Sequence, residues 1–176
     1  MKILLTLTIL TPGTALAHYT EGTLTGSLAG GILHPLTGLD HLLVIVAVGL
    51  WAARQPLKLK LGIPVVFALT LAGAGIIAQL SGVGLPYEAG IGMSLLLAGV
   101  LLALPGRHSA AWALPLSAAL AVSHGWAHGI EMAPHTAAAP YLLGMLMTTA
   151  ALQLSAIGLF LRFRGHSAGH RVKVPE

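Results

Sequence analysis

The chain has 176 residues, 56% of them hydrophobic and only 8% charged, against roughly 25% charged in soluble domains, so the composition is that of a membrane protein and excludes an ordinary soluble enzyme. It contains no cysteine, which removes disulfides, thiolate metal sites and cysteine nucleophiles together. The formal charge of +4 comes from short basic segments between apolar runs, not from a basic stripe beside aromatic residues, and this argues against nucleic acid as a partner.

Residues 1–17, MKILLTLTILTPGTALA, combine a basic Lys2, an apolar stretch, a break at Pro12-Gly13 and an A-x-A ending, the pattern of a cleaved signal peptide. His18 is then the expected mature N-terminus, on the outer side, read as a disordered terminal histidine in preference to a cation contact through its amine and ring nitrogen. Residues 18–33 begin polar and become glycine-rich, and are read either as a short half-helix or as the start of a long one. Gly26 and Gly30, four apart, suit a close helix contact. Pro35 is read as the first residue of a helix, where its missing N–H costs nothing, with His34 at the cap and the span ending near Ala53. Further apolar runs at about 61–80, 88–104, 110–130 and 138–161 each approach the ~20 residues that cross a bilayer.

The expected fold is therefore an all-α polytopic bundle. It has about five transmembrane helices over residues 18–161, a signal peptide at 1–17 and a basic cytoplasmic tail at 162–176 whose His166 and His170 are read as solvated. Placing the mature N-terminus outside puts Arg54, Lys58, Lys60, Arg107, Arg162, Arg164, Arg171 and Lys173 all inside, as the positive-inside rule requires. The expected location is the bacterial inner membrane.

Polar groups inside apolar spans are costly and mark function. In this topology His34, Asp40 and His41 enter the first span from outside, Glu88 begins the third, and His124, His128 and Glu131 end the fourth, so all seven fall at the outer side. On a regular helix His34 and His41 are about 700° apart, roughly 20° in projection, and His124 and His128 are an i,i+4 pair with Glu131 one turn on. Imidazole with carboxylate suits nickel, zinc, copper or iron. Asp40 either binds the ion directly or, the slightly favoured role, orients a histidine ring as its acceptor. Glu88 also suits a helix N-terminus through the dipole. Gly73, Gly75, Gly92, Gly99, Gly144 and Gly158 are read as close-packing positions, and Trp51, Trp112 and Trp126 as aromatic-belt residues.

Four blocks carry a resemblance: HPLTGLDHLLVIVAVGLWAA at 34–53, EAGIGMSLLLAGVLLA at 88–103, SHGWAHGIE at 123–131 and YLLGMLMTTAALQLSAIG at 141–158. Together they resemble the HupE/UreJ family of hydrogenase and urease accessory membrane proteins, and the first block is similar to the H-x4-D-H signature of larger nickel/cobalt permeases. The resemblance implies a secondary permease for nickel or cobalt, not an enzyme, with no permanently bound cofactor. It implies metal roles for His34, Asp40, His41, His124, His128 and Glu131, with Glu88 part of the pattern. The chain departs from the family at Gln153, where a histidine is usual. Protonation of the imidazoles is expected to release the ion and couple transport to pH. Two other classes fit the residue types less well. An intramembrane zinc hydrolase would use His41, His124 and His128 as ligands with Asp40 or Glu131 activating water, but no substrate pocket or second acid/base set is visible for it. Haem ligation by facing histidines is disfavoured because the histidines gather on one side.

Overall fold

The computed structural model describes residues 26–104, 106, 109–132 and 138–169. The expected signal peptide, His18 and the end of the tail, including His170, lie outside the described residues. Six helices and no strands occur among them: α1 Leu28–Thr37, α2 Leu39–Ala53, α3 Leu57–Ser81, α4 Tyr87–Ala103, α5 Ala110–Glu131 and α6 Ala138–Gly169.

The start of the first span is corrected. Ser27 caps α1, its hydroxyl accepting the Gly30 N–H at 2.9 Å, so Pro35 lies inside α1, near its end, and not at the first position of a span. There the proline lacks the N–H that would bond back to Gly31. The Thr37 hydroxyl donates to the His34 carbonyl at 3.1 Å, competing with helix continuation. Gly38 then adopts an extended ψ of 108°. These local features end α1, and α2 leaves at 82° to it. Of the two readings of the glycine-rich segment, the short half-helix is the one found.

α3 shows why the bundle suits a bilayer. One face, Ile63, Phe67, Leu71, Ala74 and Ala78, is buried, yet the opposite face presents Leu61, Val65, Leu69, Ile76 and Leu80 outward. A helix apolar all round belongs in lipid or deep inside a larger assembly. By length and composition α3 and the Ala138–Gly165 part of α6 are able to cross a membrane, and the bent α1–α2 pair makes a third if taken as one broken span. α4, at 17 residues, is at the short limit for a crossing.

Glycine brings the helices close, though not at all the expected places. α3 and α5 pack along each other where Gly125 faces the Leu71 carbonyl and Gly129 the Gly75 carbonyl. α1 lies on α6 through Gly31 against the Tyr141 carbonyl and Gly144 against the Leu28 carbonyl, with the Thr148 hydroxyl donating to Ile32 O at 2.9 Å. Gly75 and Gly144 therefore pack as expected, whereas Gly73, Gly92, Gly99 and Gly158 face nothing within 4 Å, and Gly31, next to the buried Gly30, makes a close contact of its own. Trp51 is another correction: at 1% exposure it is core, not belt. Trp112 is exposed, and the Trp126 indole donates to Val83 O at 3.0 Å.

Arg54 ties the far end together. Its guanidinium donates to the carbonyls of Leu101 and Leu102, both at 2.9 Å, satisfying acceptors that the end of α4 leaves open.

Two alanine substitutions separate packing from propensity. A methyl group at Gly125 would collide with the Leu71 carbonyl and come within 2.9 Å of Ala74 Cβ, so Gly125→Ala is expected to destabilise the bundle by about 1–3 kcal/mol. Gly99→Ala, into open space, is expected to be neutral or to stabilise by about 0.5–1 kcal/mol. Thermal unfolding in detergent reads both.

Candidate metal site

The break at Gly38 determines where the histidines meet. His34 stands in the last turn of α1 and His41 in the first turn of α2, so the projection on a regular helix does not apply. The bend itself brings the rings to a centroid separation of 5.0 Å. Gly38 also leaves room for the polar groups beside it, since a Cβ there would lie 3.0 Å from His41 Nδ1 and 3.2 Å from Asp40 Oδ1.

Asp40 fixes the His41 ring. Its Oδ1 accepts the His41 backbone N–H at 2.9 Å and faces His41 Nδ1 at 2.9 Å. A carboxylate only accepts, so the proton is assigned to Nδ1 and the lone pair to Nε2. That Nε2 is buried without a hydrogen-bond partner, the state in which an imidazole is ready to ligate.

α5 supplies the other pair. His128 lies at 4.4 Å from the His34 ring and 4.8 Å from the His41 ring, centroid to centroid, and both its ring nitrogens are buried without a partner. His124, one turn earlier, is 4.7 Å from His41. Its Nε2 meets the Ser94 hydroxyl of α4 at 2.8 Å, and that hydroxyl donates to the Ile91 carbonyl at 2.7 Å. Ser94 therefore accepts from His124, which leaves the lone pair of His124 on Nδ1.

His34, His41 and His128 form a group whose candidate ligand atoms all lie within 4.8 Å of one another. Tetrahedral ligation at about 2.1 Å spaces nitrogens by roughly 3.4 Å, so closure requires movements of little more than about 1.4 Å. His34 and His128 sit in the last turns of α1 and α5, whose carbonyl ends favour a cation, and Asp40 offsets the positive end of α2.

The expected site residues separate into tiers. Three rings converge, with Asp40 and His124 in contact with the group from its edge. Glu131, half-buried at the end of α5, stands outside the three-ring group, and Glu88 is exposed on the first turn of α4. Sequence reasoning passed over Ser94 and Tyr141. The buried Tyr141 ring is 6.0 Å from His34 and 6.4 Å from His128, closing the α6 side. Both residues lie in the quoted family blocks, but nothing in their spacing marks them.

Comparison with known proteins gives a coherent result. A family model described as HupE / UreJ protein matches residues 5–173. The chain is 36% identical over 168 residues to Protein HupE of Rhizobium leguminosarum bv. viciae, covering 92% of this chain and 85% of that protein. No solved structure matches.

Removing the carboxylate tests the role that its geometry suggests. Outer groups that orient a ligand typically change metal affinity 10–100-fold, so Asp40→Ala is expected to weaken Ni2+ binding by about that factor, and His41→Ala to abolish it. Calorimetric titration of the purified protein distinguishes the two.

Proposed function

The chain belongs to the HupE/UreJ family, and on that premise we propose that it is a secondary permease for divalent transition-metal ions, with nickel, or else cobalt, as its substrate in support of hydrogenase or urease maturation. The observation that carries this reading is the convergence of three buried imidazoles from α1, α2 and α5 at one end of an apolar bundle. Three neutral nitrogen ligands hold a borderline divalent ion but leave coordination positions for water. A permease needs this, because the ion must bind well enough to enter and weakly enough to leave.

The membrane arrangement belongs to the same proposal. After signal cleavage the mature N-terminus is outside, and five helical stretches cross, the first of them broken at Gly38. Non-helical backbone at membrane depth is tolerated where it is buried in protein or lines a polar site, and a broken helix beside a binding site is a recurrent transporter device. The chain polarity of the helices supports the orientation. α2 and α6 begin beside the imidazoles, so among the described residues Arg54, Lys58, Lys60, Arg162 and Arg164 all lie toward the opposite end, the inner one by the charge rule.

The ion enters from outside and exchanges part of its water for His41 Nε2, His128 and His34, with Asp40 holding the His41 ring. Neutral imidazole binds metal and imidazolium does not, so protons compete with the ion for these nitrogens. Nothing among the described residues favours the zinc hydrolase, for Asp40 is engaged with His41 and Glu131 stands outside the three-ring group.

Nickel uptake into cells, with cobalt and zinc as competitors, is expected to fall to background for His41→Ala and for His128→Ala. Retained uptake by both variants would reject the site. Because the chain lacks cysteine, single cysteines also report orientation. Ser81→Cys, exposed at the imidazole end of α3, is expected to react with an impermeant maleimide on intact cells, and Lys58→Cys, exposed at its other end, to react only after lysis.

A further inference from the structure

Beyond the imidazole group, α6 holds two polar side chains that the transport reading has not used. From Tyr141, the buried positions Met145, Thr149 and Gln153 follow at four-residue steps, and Thr149 and Gln153 are both 0% exposed. At 1.5 Å rise per residue, Thr149 stands about 12 Å and Gln153 about 18 Å along the helix from Tyr141, toward the basic end. The Thr149 hydroxyl and both amide atoms of Gln153 are buried without any hydrogen-bond partner. Native proteins seldom leave such groups unmet, since each retains its full desolvation cost. If packing alone were at stake, valine and leucine would fill these positions without that cost.

Local geometry lets the two act together. Residues one turn apart share a face, so Thr149 and Gln153 are neighbours on one buried face of α6. Gly49 of α2 packs against the Gln153 backbone, where a Cβ would lie 2.8 Å from the Gln153 carbonyl oxygen. This close approach keeps the position sealed from lipid.

Resting on the permease reading, we propose that Thr149 and Gln153 form a second, oxygen-donor station for the partly hydrated divalent ion, between the imidazole group and the inner side. A hydroxyl and an amide oxygen are neutral and weaker ligands than imidazole for such ions. That suits passage and release after capture, as a sequence of sites of falling affinity requires.

The test compares Ni2+ uptake by proteoliposomes with equilibrium Ni2+ binding by the same purified protein. Thr149→Val, which is isosteric, and Gln153→Leu are each expected to slow uptake by at least about tenfold while binding at the imidazole group is retained; Thr149→Ser keeps the hydroxyl and is expected to keep transport. Uptake at the native rate in the Thr149→Val, Gln153→Leu double variant would overturn the station and leave the permease reading intact, the polar atoms then holding only a structural water. Loss of equilibrium binding in either single variant would also overturn it, by tracing the effect to the imidazole group. Should the native protein bind Ni2+ yet import none, the permease reading falls and the station with it.

Discussion

An imidazole nitrogen buried in an apolar bundle has few options: it must find a donor or acceptor, bind an ion, or retain a desolvation cost of about 1–3 kcal/mol. His41 Nε2 and both nitrogens of His128 are in this position, packed with His34 ring edge against ring face. Much of the surrounding architecture serves to hold these groups where they do not satisfy one another. The Thr37 hydroxyl and Gly38 end α1 early, the 82° turn sets His34 over His41, and Asp40 commits the His41 proton to the side away from the group. Ser94 does the corresponding work for His124.

The scaffold that carries these rings is stiff because it is close-packed at glycine. With Gly125 and Gly129 backed onto α3 carbonyls, α5 has little freedom to slide, so His128 keeps its place relative to α2. α1 is only 10 residues long and would have little stability alone. It is held by the glycine contacts to α6 and by the Thr148 bond to the Ile32 carbonyl. Rigidity at the imidazole end is matched by a cap at the other, where Arg54 holds the terminal carbonyls of α4. Outward-facing leucine, isoleucine and valine side chains complete the division between a polar interior site and a lipid-compatible surface.

Much of this was legible in the chain. The apolar runs at 61–80, 88–104, 110–130 and 138–161 correspond to α3 through α6 within a few residues, except that α6 continues to Gly169, because apolar length is a strong signal. The i,i+4 spacing of His124 and His128 put both on one buried face, as helix geometry demands. What failed was Pro35, whose fixed φ fits a first turn and a last turn equally well, while the decisive Ser27 cap and Thr37 back-bond are weak local signals. The His34–His41 contact was anticipated for the wrong reason: a bend, not helical periodicity, produces it. Glycine positions were only partly readable, since Gly75 and Gly99 look alike until the partner helix is known. Ser94 and Tyr141 had no sequence mark, because their relation to the rings exists only across helices.

The central claim is that three imidazoles gather one divalent ion at the end of the bundle. X-ray absorption spectroscopy on the Ni2+-loaded protein measures this directly. Outer-shell imidazole scattering fitting about three rings with nitrogens near ~2.0–2.1 Å, and reduced by one ring in His128→Ala, is the predicted result. A spectrum with only oxygen neighbours, unchanged by that substitution, would contradict it.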